Sequence, residues 1–93
     1  MSMAMNAVLV NINEKDVLLA LEEARQKLDG TGDKAVLDFS SVRRIDSHEL
    51  RAMEELACMA EEKAVTVELR GVNVDVYRVM KLLKLTRRFT FGS

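Results

Sequence analysis

The segment AVLDFSSVRRIDSHEL, residues 35–50, contains the transition that decides the fold. It opens with Ala35–Phe39, a short apolar run typical of a buried strand. It closes with the start of a helix, because Asp46 is a good N-cap residue and Glu49 follows three positions later, as in a capping box. A strand, a polar connection and a helix are therefore predicted in direct succession.

The same alternation extends in both directions along the chain. Upstream, Val17, Leu21, Ala24 and Leu28 recur at helical spacing after a β-branched run. Downstream, AVTVELR alternates apolar and polar side chains, which indicates a strand with one face partly in water. The predicted elements are a strand at 7–12, a helix from the Asn13 cap to near Gly30, a strand at 35–39, a helix at 46–63, a strand at 64–70, a helix at 74–84 capped by Asn73, and a short strand at 89–91.

This order predicts an α/β fold with a central four-stranded, mostly parallel sheet and right-handed crossovers. In such sheets, binding sites lie beyond the carboxyl ends of the strands, where the chain enters the helices. The polar connection at 42–50 occupies a position of this kind. The inward side of the last helix is predicted to carry Val76, Val79, Met80 and Leu83.

Length and composition favour one domain, residues 1–93, with Gly92-Ser93 set aside as a candidate cloning remnant. The net charge of −1 and four aromatic side chains argue against nucleic acid as a partner. No apolar run approaches the roughly 18 residues that span a bilayer, and no signal peptide is recognisable. We therefore expect no membrane insertion and a cytoplasmic location.

Catalytic constellations are not evident in the sequence. The single histidine, His48, adjoins Ser47, and neighbouring helical residues point in different directions. The single cysteine, Cys58, lies in mid-helix near the apolar stripe and is predicted to be a small buried thiol. One histidine and one cysteine do not form a metal cluster, and DGTGD (residues 29–33) lacks the lysine of a phosphate loop. We expect neither an enzyme, nor a metal, nor a cofactor.

Ser47 is the one polar residue here that helix capping does not explain. It falls at the first helical position, where its hydroxyl faces solvent. A phosphoryl group there would meet free backbone N–H groups and the positive end of the helix dipole, with Arg43 and Arg44 nearby. The alternative is that residues 46–49 form only a helix start and the arginines are solvated loop charges.

Taken together, these motifs resemble the STAS domain, the fold of bacterial anti-sigma factor antagonists. The family pattern has a strand ending in Asp-[Leu/Phe]-Ser, then an apolar residue followed by Asp-Ser opening a helix, and later a leucine-rich close. The matching positions are Asp38-Phe39-Ser40, Ile45-Asp46-Ser47, Leu50, Leu69–Val72, and Leu82–Leu85 with Phe89.

The resemblance implies helices mainly on one side of the sheet, three to four of them, and an activity of binding rather than catalysis. It implies an anti-sigma factor serine kinase as partner and Ser47 as the phosphoacceptor. The partner-binding residues it implies are Ser40, Ser41, Arg43, Arg44, Asp46, Ser47, His48 and Glu49.

Two features depart from the family pattern. Glu49 replaces the family's glycine, which adds bulk and negative charge beside the acceptor and leaves open a STAS scaffold that is not phosphorylated. The family's first edge strand has no counterpart, so we expect an exposed sheet edge able to form a homodimer.

A second branch of the family offers an alternative function. The segments EKDVLLALEE and LRGVNVDVYRVMKLLKL resemble the small STAS subunit of the bacterial phospholipid-transport ABC complex. That subunit docks on an ATPase. The resemblance implies no contact between the subunit and lipid.

Overall fold

The computed structural model describes residues 7–28 and 34–92. The DGTGD segment (residues 29–33) and Ser93 lie outside the described residues. The elements are β1 (Ala7–Asn11), a 3₁₀ turn (Glu14–Asp16), α1 (Val17–Leu28), β2 (Lys34–Asp38), α2 (Ser47–Glu62), β3 (Thr66–Arg70), α3 (Val74–Leu82), a second 3₁₀ turn (Thr86–Arg88) and β4 (Thr90–Gly92).

The four strands form one parallel sheet in the order β1-β2-β3-β4, as predicted. Parallel neighbours cannot be joined by a tight turn, so each pair is connected through a helix. The Asn13 cap predicted for the first helix holds the 3₁₀ turn instead, through the Lys15 N–H, and α1 follows directly.

The core lies on one face of the sheet. Val10, Leu37 and Leu69 stand side by side in neighbouring strands and are buried there. All three helices contribute to the same buried cluster, with Leu21, Leu56 and Met80 among its members. The helices therefore pack on one side of the sheet, which confirms the expected architecture.

The opposite face of the sheet has a charged centre. Glu68 is only 7% exposed, because its carboxylate lies between Lys34 Nζ at 2.7 Å and Arg70 Nε at 2.6 Å. The hydrogen bonds from these two cations hold the pKa of Glu68 below its usual range, and Lys34 contributes more than Arg70. A Cβ at Gly92 in β4 would collide with this carboxylate, so a larger residue there would require the Glu68 side chain to move.

The ends of α2 and α3 correct one prediction about the core. Two residues after the end of each helix lies a residue with positive φ, Ala64 (57°) after α2 and Lys84 (63°) after α3. The following N–H then bonds back to the carbonyl five residues earlier, as Leu85 does to Met80 at 2.9 Å. This reversal turns Leu85 into the core and leaves Leu83 55% exposed, so the prediction of an inward Leu83 was wrong.

Replacing Lys84 with glycine is expected to raise the free energy of unfolding by about 0.5–1 kcal/mol, because glycine adopts positive φ without a Cβ penalty. Arg78→Gly is the matched control. It also removes one positive charge, from the exposed side of α3. Glycine inside the helix increases the conformational entropy of the unfolded chain, so the free energy of unfolding should fall by about 1 kcal/mol. Urea unfolding followed by circular dichroism measures both changes. A loss of stability in Lys84→Gly would contradict the expected strain.

The prediction of a buried Cys58 was also wrong. The α2 residues that enter the core recur at three- and four-residue spacing through Leu56, Ala57 and Ala60, and this rotation leaves Cys58 on the exposed side. Its sulfur lies 3.2 Å from the guanidinium of Arg88. Arg88 also pairs with Glu61, which ties the second 3₁₀ turn to the end of α2.

Candidate functional site

The polar connection between β2 and α2 is anchored at the carboxyl end of the sheet. The N–H of Phe39 donates to the carbonyl of Arg70 at 2.7 Å, and the carbonyl of Phe39 accepts from Val42 N–H at 2.9 Å. The side chains of Phe39 and Val42 are buried beneath the connection. Residues 40–46 are thus seated on the core, at the position expected for a binding site in a parallel sheet.

Two predicted site residues, Ser40 and Ser41, have local structural roles. The backbone N–H of Ser40 donates to Asp38 Oδ1 at 2.9 Å. Hydrogen bonds from the hydroxyl and the N–H of Ser40 hold the pKa of the Asp38 carboxyl below its usual range. The hydroxyl of Ser41 donates to the carbonyl of Ile12 at 3.1 Å, which joins this connection to the end of β1.

The start of α2 is a complete capping box, as predicted. The Asp46 carboxylate accepts from Glu49 N–H at 2.8 Å, and the Glu49 carboxylate accepts from Asp46 N–H at 2.9 Å. Both acidic side chains are therefore engaged with the backbone. Ser47 is the first helical residue and is exposed, and its hydroxyl has no hydrogen-bond partner within residues 7–28 and 34–92.

Asn73 connects this region to α3. Its side-chain oxygen accepts from Val76 N–H at 2.8 Å, which is the helix cap predicted from the sequence. Its amide nitrogen also donates to the carbonyls of Val42 (3.2 Å) and Arg43 (3.1 Å). One side chain thus caps α3 and fastens the β2–α2 connection.

We expect Asn73→Asp to lower the free energy of unfolding by about 1–3 kcal/mol although aspartate is an equally good cap, because its carboxylate would face two carbonyl oxygens that lose their donor. Asn73→Ser is the control, since it keeps a capping oxygen without adding charge. Chemical denaturation and amide shifts of residues 42–47 report the effect. If Asn73→Asp were as stable as the wild type, the hydrogen bonds from Asn73 to the carbonyls of Val42 and Arg43 would contribute little to stability.

A groove of about 230 Å³ lies between the first half of α2 and the chain that follows α3. We call it the α2–α3 groove. Its lining residues are Ser47, Leu50, Arg51, Glu54, Leu83 and Leu85. The groove therefore combines one hydroxyl, two opposite charges and leucine side chains.

Of the residues predicted for the site, the groove contains Ser47. Arg43, Arg44 and His48 are exposed outside its lining, and their role in partner binding stays a prediction. The arginine that lines the groove beside Ser47 is Arg51. Its position four residues after Ser47 on the same helical face is the sequence signal that could have identified it. Leu83 had been predicted to face the core, because the predicted helix continued two residues beyond the observed end of α3.

Neither a metal cluster nor a membrane span occurs in the described ranges. Within residues 7–28 and 34–92, no three side chains of His, Cys, Asp or Glu are arranged to hold a metal ion. No helix in the same part of the chain has the length and apolar character needed to cross a bilayer.

Sequence comparison places the chain in a known family. The model of the Mlab, STAS domain matches residues 14–90, which includes the whole site. The chain belongs to the STAS domain family. A curated relative, the intermembrane phospholipid transport system binding protein MlaB of Escherichia coli (strain K12), is 35% identical over 72 residues, covering 77% of this chain and 72% of the relative.

Solved STAS structures share the fold. A protein of Thermotoga maritima described as an anti-sigma factor antagonist matches 95% of this chain and 74% of its own, with a TM-score of 0.71 and 25% identity. The STAS domain of a SulP transporter from Vibrio cholerae matches 98% of this chain and 77% of its own, with a TM-score of 0.78 and 14% identity. This STAS domain is thus similar both to anti-sigma factor antagonists and to MlaB.

Proposed function

We propose that this STAS domain is a non-catalytic docking subunit of an ABC-type phospholipid transporter and that the ATPase subunit binds at the α2–α3 groove. The observation that carries the proposal is Leu83, a 55% exposed leucine in the wall of a groove that also contains the Ser47 hydroxyl. Because an ATPase works where ATP is present, the proposal places the domain in the cytoplasm.

The composition of the groove suits a protein partner. Apolar anchors surrounded by polar groups are the usual arrangement of a contact between proteins. Leu83 would supply the anchor, while Arg51 and Glu54 would lie at the rim and orient the partner through charge. Burial of this exposed leucine by a partner would contribute favourably to the free energy of binding, because apolar surface is removed from water.

The side chains around Ser47 support binding rather than catalysis. A general base must reach the proton it removes, and the two carboxylates that flank Ser47 in the sequence, Asp46 and Glu49, are held by backbone N–H groups of the capping box. Ser47 would then act as a contact residue of the docking surface.

The choice of the phospholipid-transport branch rests on the sequence comparisons, and an ATPase is the partner that the resemblance to this branch implies. The family model and the 35% identical relative both carry the description of the phospholipid-transport branch, and the model extends across α3 and the groove. The antagonist likeness comes from a structure at 25% identity, with a TM-score of 0.71.

Leu83→Glu tests the docking surface directly. We expect it to weaken binding to the native host's transporter ATPase by at least about tenfold, since a charge would replace a central apolar anchor. Leu19→Glu is the matched control, because Leu19 on α1 is 57% exposed and lies outside the groove lining. Isothermal titration against the purified ATPase subunit gives both affinities. Equal affinities for the two variants would contradict the proposal.

A second candidate function is control by an anti-sigma factor serine kinase that phosphorylates Ser47. It is favoured by the exposed, unpartnered hydroxyl at the start of α2, as far as the described residues extend. A phosphoryl group there would meet the backbone N–H groups of the first turn and would have Arg51 four residues further along the helix. Arg43 and Arg44 remain proposed contacts of that group.

Incubation with the kinase and Mg-ATP separates the two functions. The second candidate requires one phosphate, lost in Ser47→Ala and retained in Ser41→Ala. The ATPase proposal requires no phosphate, and Ser47→Ala, which removes one hydroxyl from the groove, should still bind the ATPase with at most a small loss of affinity. Phosphate on another residue, or none with a kinase that binds, would exclude the phosphorylation hypothesis.

A further inference from the structure

Among the described residues, β1 is an edge strand of the sheet with no strand on its outer side. The sheet order places β1 at one border, and β2 is its only strand partner within residues 7–28 and 34–92. Its sequence, Ala-Val-Leu-Val-Asn, contains no charge and no proline, the features with which proteins usually block such edges. The backbone groups on the outer side of this five-residue strand have no strand partner within the described residues. The other border, β4, has only three residues.

The hydrogen bonds of β1 show which residues face outward. In a parallel pair, the N–H and C=O of every second residue point to the same neighbour, and those of the intervening residues point away. The N–H of Ile12, which follows β1, donates to the carbonyl of Asp38 in the β2 chain at 2.9 Å. By this alternation Val8 and Val10 face β2, whereas the backbone groups of Ala7, Leu9 and Asn11 face outward.

Leu9 combines an outward backbone with an exposed side chain. The side chain is 68% exposed and lies on the sheet face opposite the helices, beside Val36 of β2. Val36 itself is 6% exposed. Leu9 and Val36 thus form an apolar row across β1 and β2, in which Val36 is buried and Leu9, at the border of the sheet, is exposed.

From these observations we infer that β1 pairs antiparallel with β1 of a second copy of this chain, about a two-fold axis at Leu9. This register pairs Leu9 with Leu9 of the second copy, and Ala7 with Asn11 of the second copy, so every outward-facing backbone group of β1 gains a partner. It joins the two sheets into one. The Leu9 side chains then cover each other and extend the apolar row from Val36 of one copy to Val36 of the other.

A second copy fits this edge better than a charged peptide would. The strand is uncharged, so two copies approach without like-charge repulsion, and the leucine row is complementary to itself. The dimer also leaves docking intact, because β1 and the α2–α3 groove involve separate residues. Each dimer would present two α2–α3 grooves.

A symmetric disulfide tests the register. Cysteine at position 9, in a Cys58→Ser background, would face its own copy with Cα atoms about 5.5 Å apart, a separation that a disulfide spans. Under air oxidation, Leu9→Cys should form a covalent dimer at least about tenfold faster than Leu82→Cys in the same background, a control that is more accessible at 78% exposure against 68% for Leu9. Equal rates would overturn the proposed register.

Sedimentation equilibrium tests the dimer itself. The wild type should reach about twice its monomer mass of 10.5 kDa with rising concentration, and Leu9→Lys, which places a charge on the edge, should remain monomeric. A monomeric wild type, or a dimeric Leu9→Lys, would overturn the inference. Leu9→Lys should still bind the ATPase and Leu83→Glu should still dimerise, so the inference and the docking proposal can fail separately.

Discussion

Phe39→Ala is expected to lower the free energy of unfolding by about 3–5 kcal/mol, the largest effect anticipated for a single substitution in this protein. The side chain is completely buried and follows β2 directly, where the chain turns from the sheet into the site connection. Alanine would leave a cavity that the surrounding strands and helices can close only in part. Small domains have about 5–15 kcal/mol of stability in total, so the variant would be marginal.

The substitution should affect the site as well as the core. The backbone of Phe39 is bonded to Arg70 and Val42, so a cavity beneath it loosens the connection that leads to Ser47. Phe39→Leu is the control and should cost less than about half as much, because it keeps most of the apolar volume. Urea unfolding measures the stability, and amide exchange at residues 40–46 measures the loosening. If the free energy of unfolding fell by less than about 1 kcal/mol, the connection at residues 40–46 would not depend on the packing of this side chain.

Gly71→Ala is expected to lower the free energy of unfolding by about 2–4 kcal/mol through two separate effects. Gly71 has a φ of 71°, a backbone conformation that alanine adopts with strain. A Cβ at this position would also lie 2.9 Å from the Cα and the Cβ of Ser40. The two connections that form the site touch here, and only glycine allows the approach.

Gly71→Asn separates the two effects, because asparagine tolerates positive φ but has a Cβ that would still meet Ser40. Adding Ser40→Gly to Gly71→Ala removes the Cβ of Ser40, one of the three atoms that the new Cβ would contact, and should restore part of the stability. Thermal unfolding of the three variants, with backbone shifts of residues 40–43, measures each contribution. Full stability in Gly71→Ala would mean that the two connections can separate without cost.

Much of this protein could be predicted from local patterns. The parallel sheet, the α2 apolar stripe and the caps at Asp46 and Asn73 follow from spacing and from side chains that bond within three residues. The position of Ser47 at the start of α2 followed from the same cap. The buried Glu68 could not be predicted in this way, because its partner Lys34 comes from another strand.

The sequence by itself determined the order of the elements, the starts of α2 and α3 and the family, because these depend on short-range periodicity, capping and local motifs. The tertiary structure alone decided how the site is assembled. Asn73 reaches carbonyls some thirty residues away along the chain, and Gly71 lies against Ser40 from the neighbouring connection. Positive φ at Lys84, a residue without the usual glycine signal, turned Leu83 outward into the groove. Such long-range contacts depend on the whole packed chain, and no local pattern encodes them.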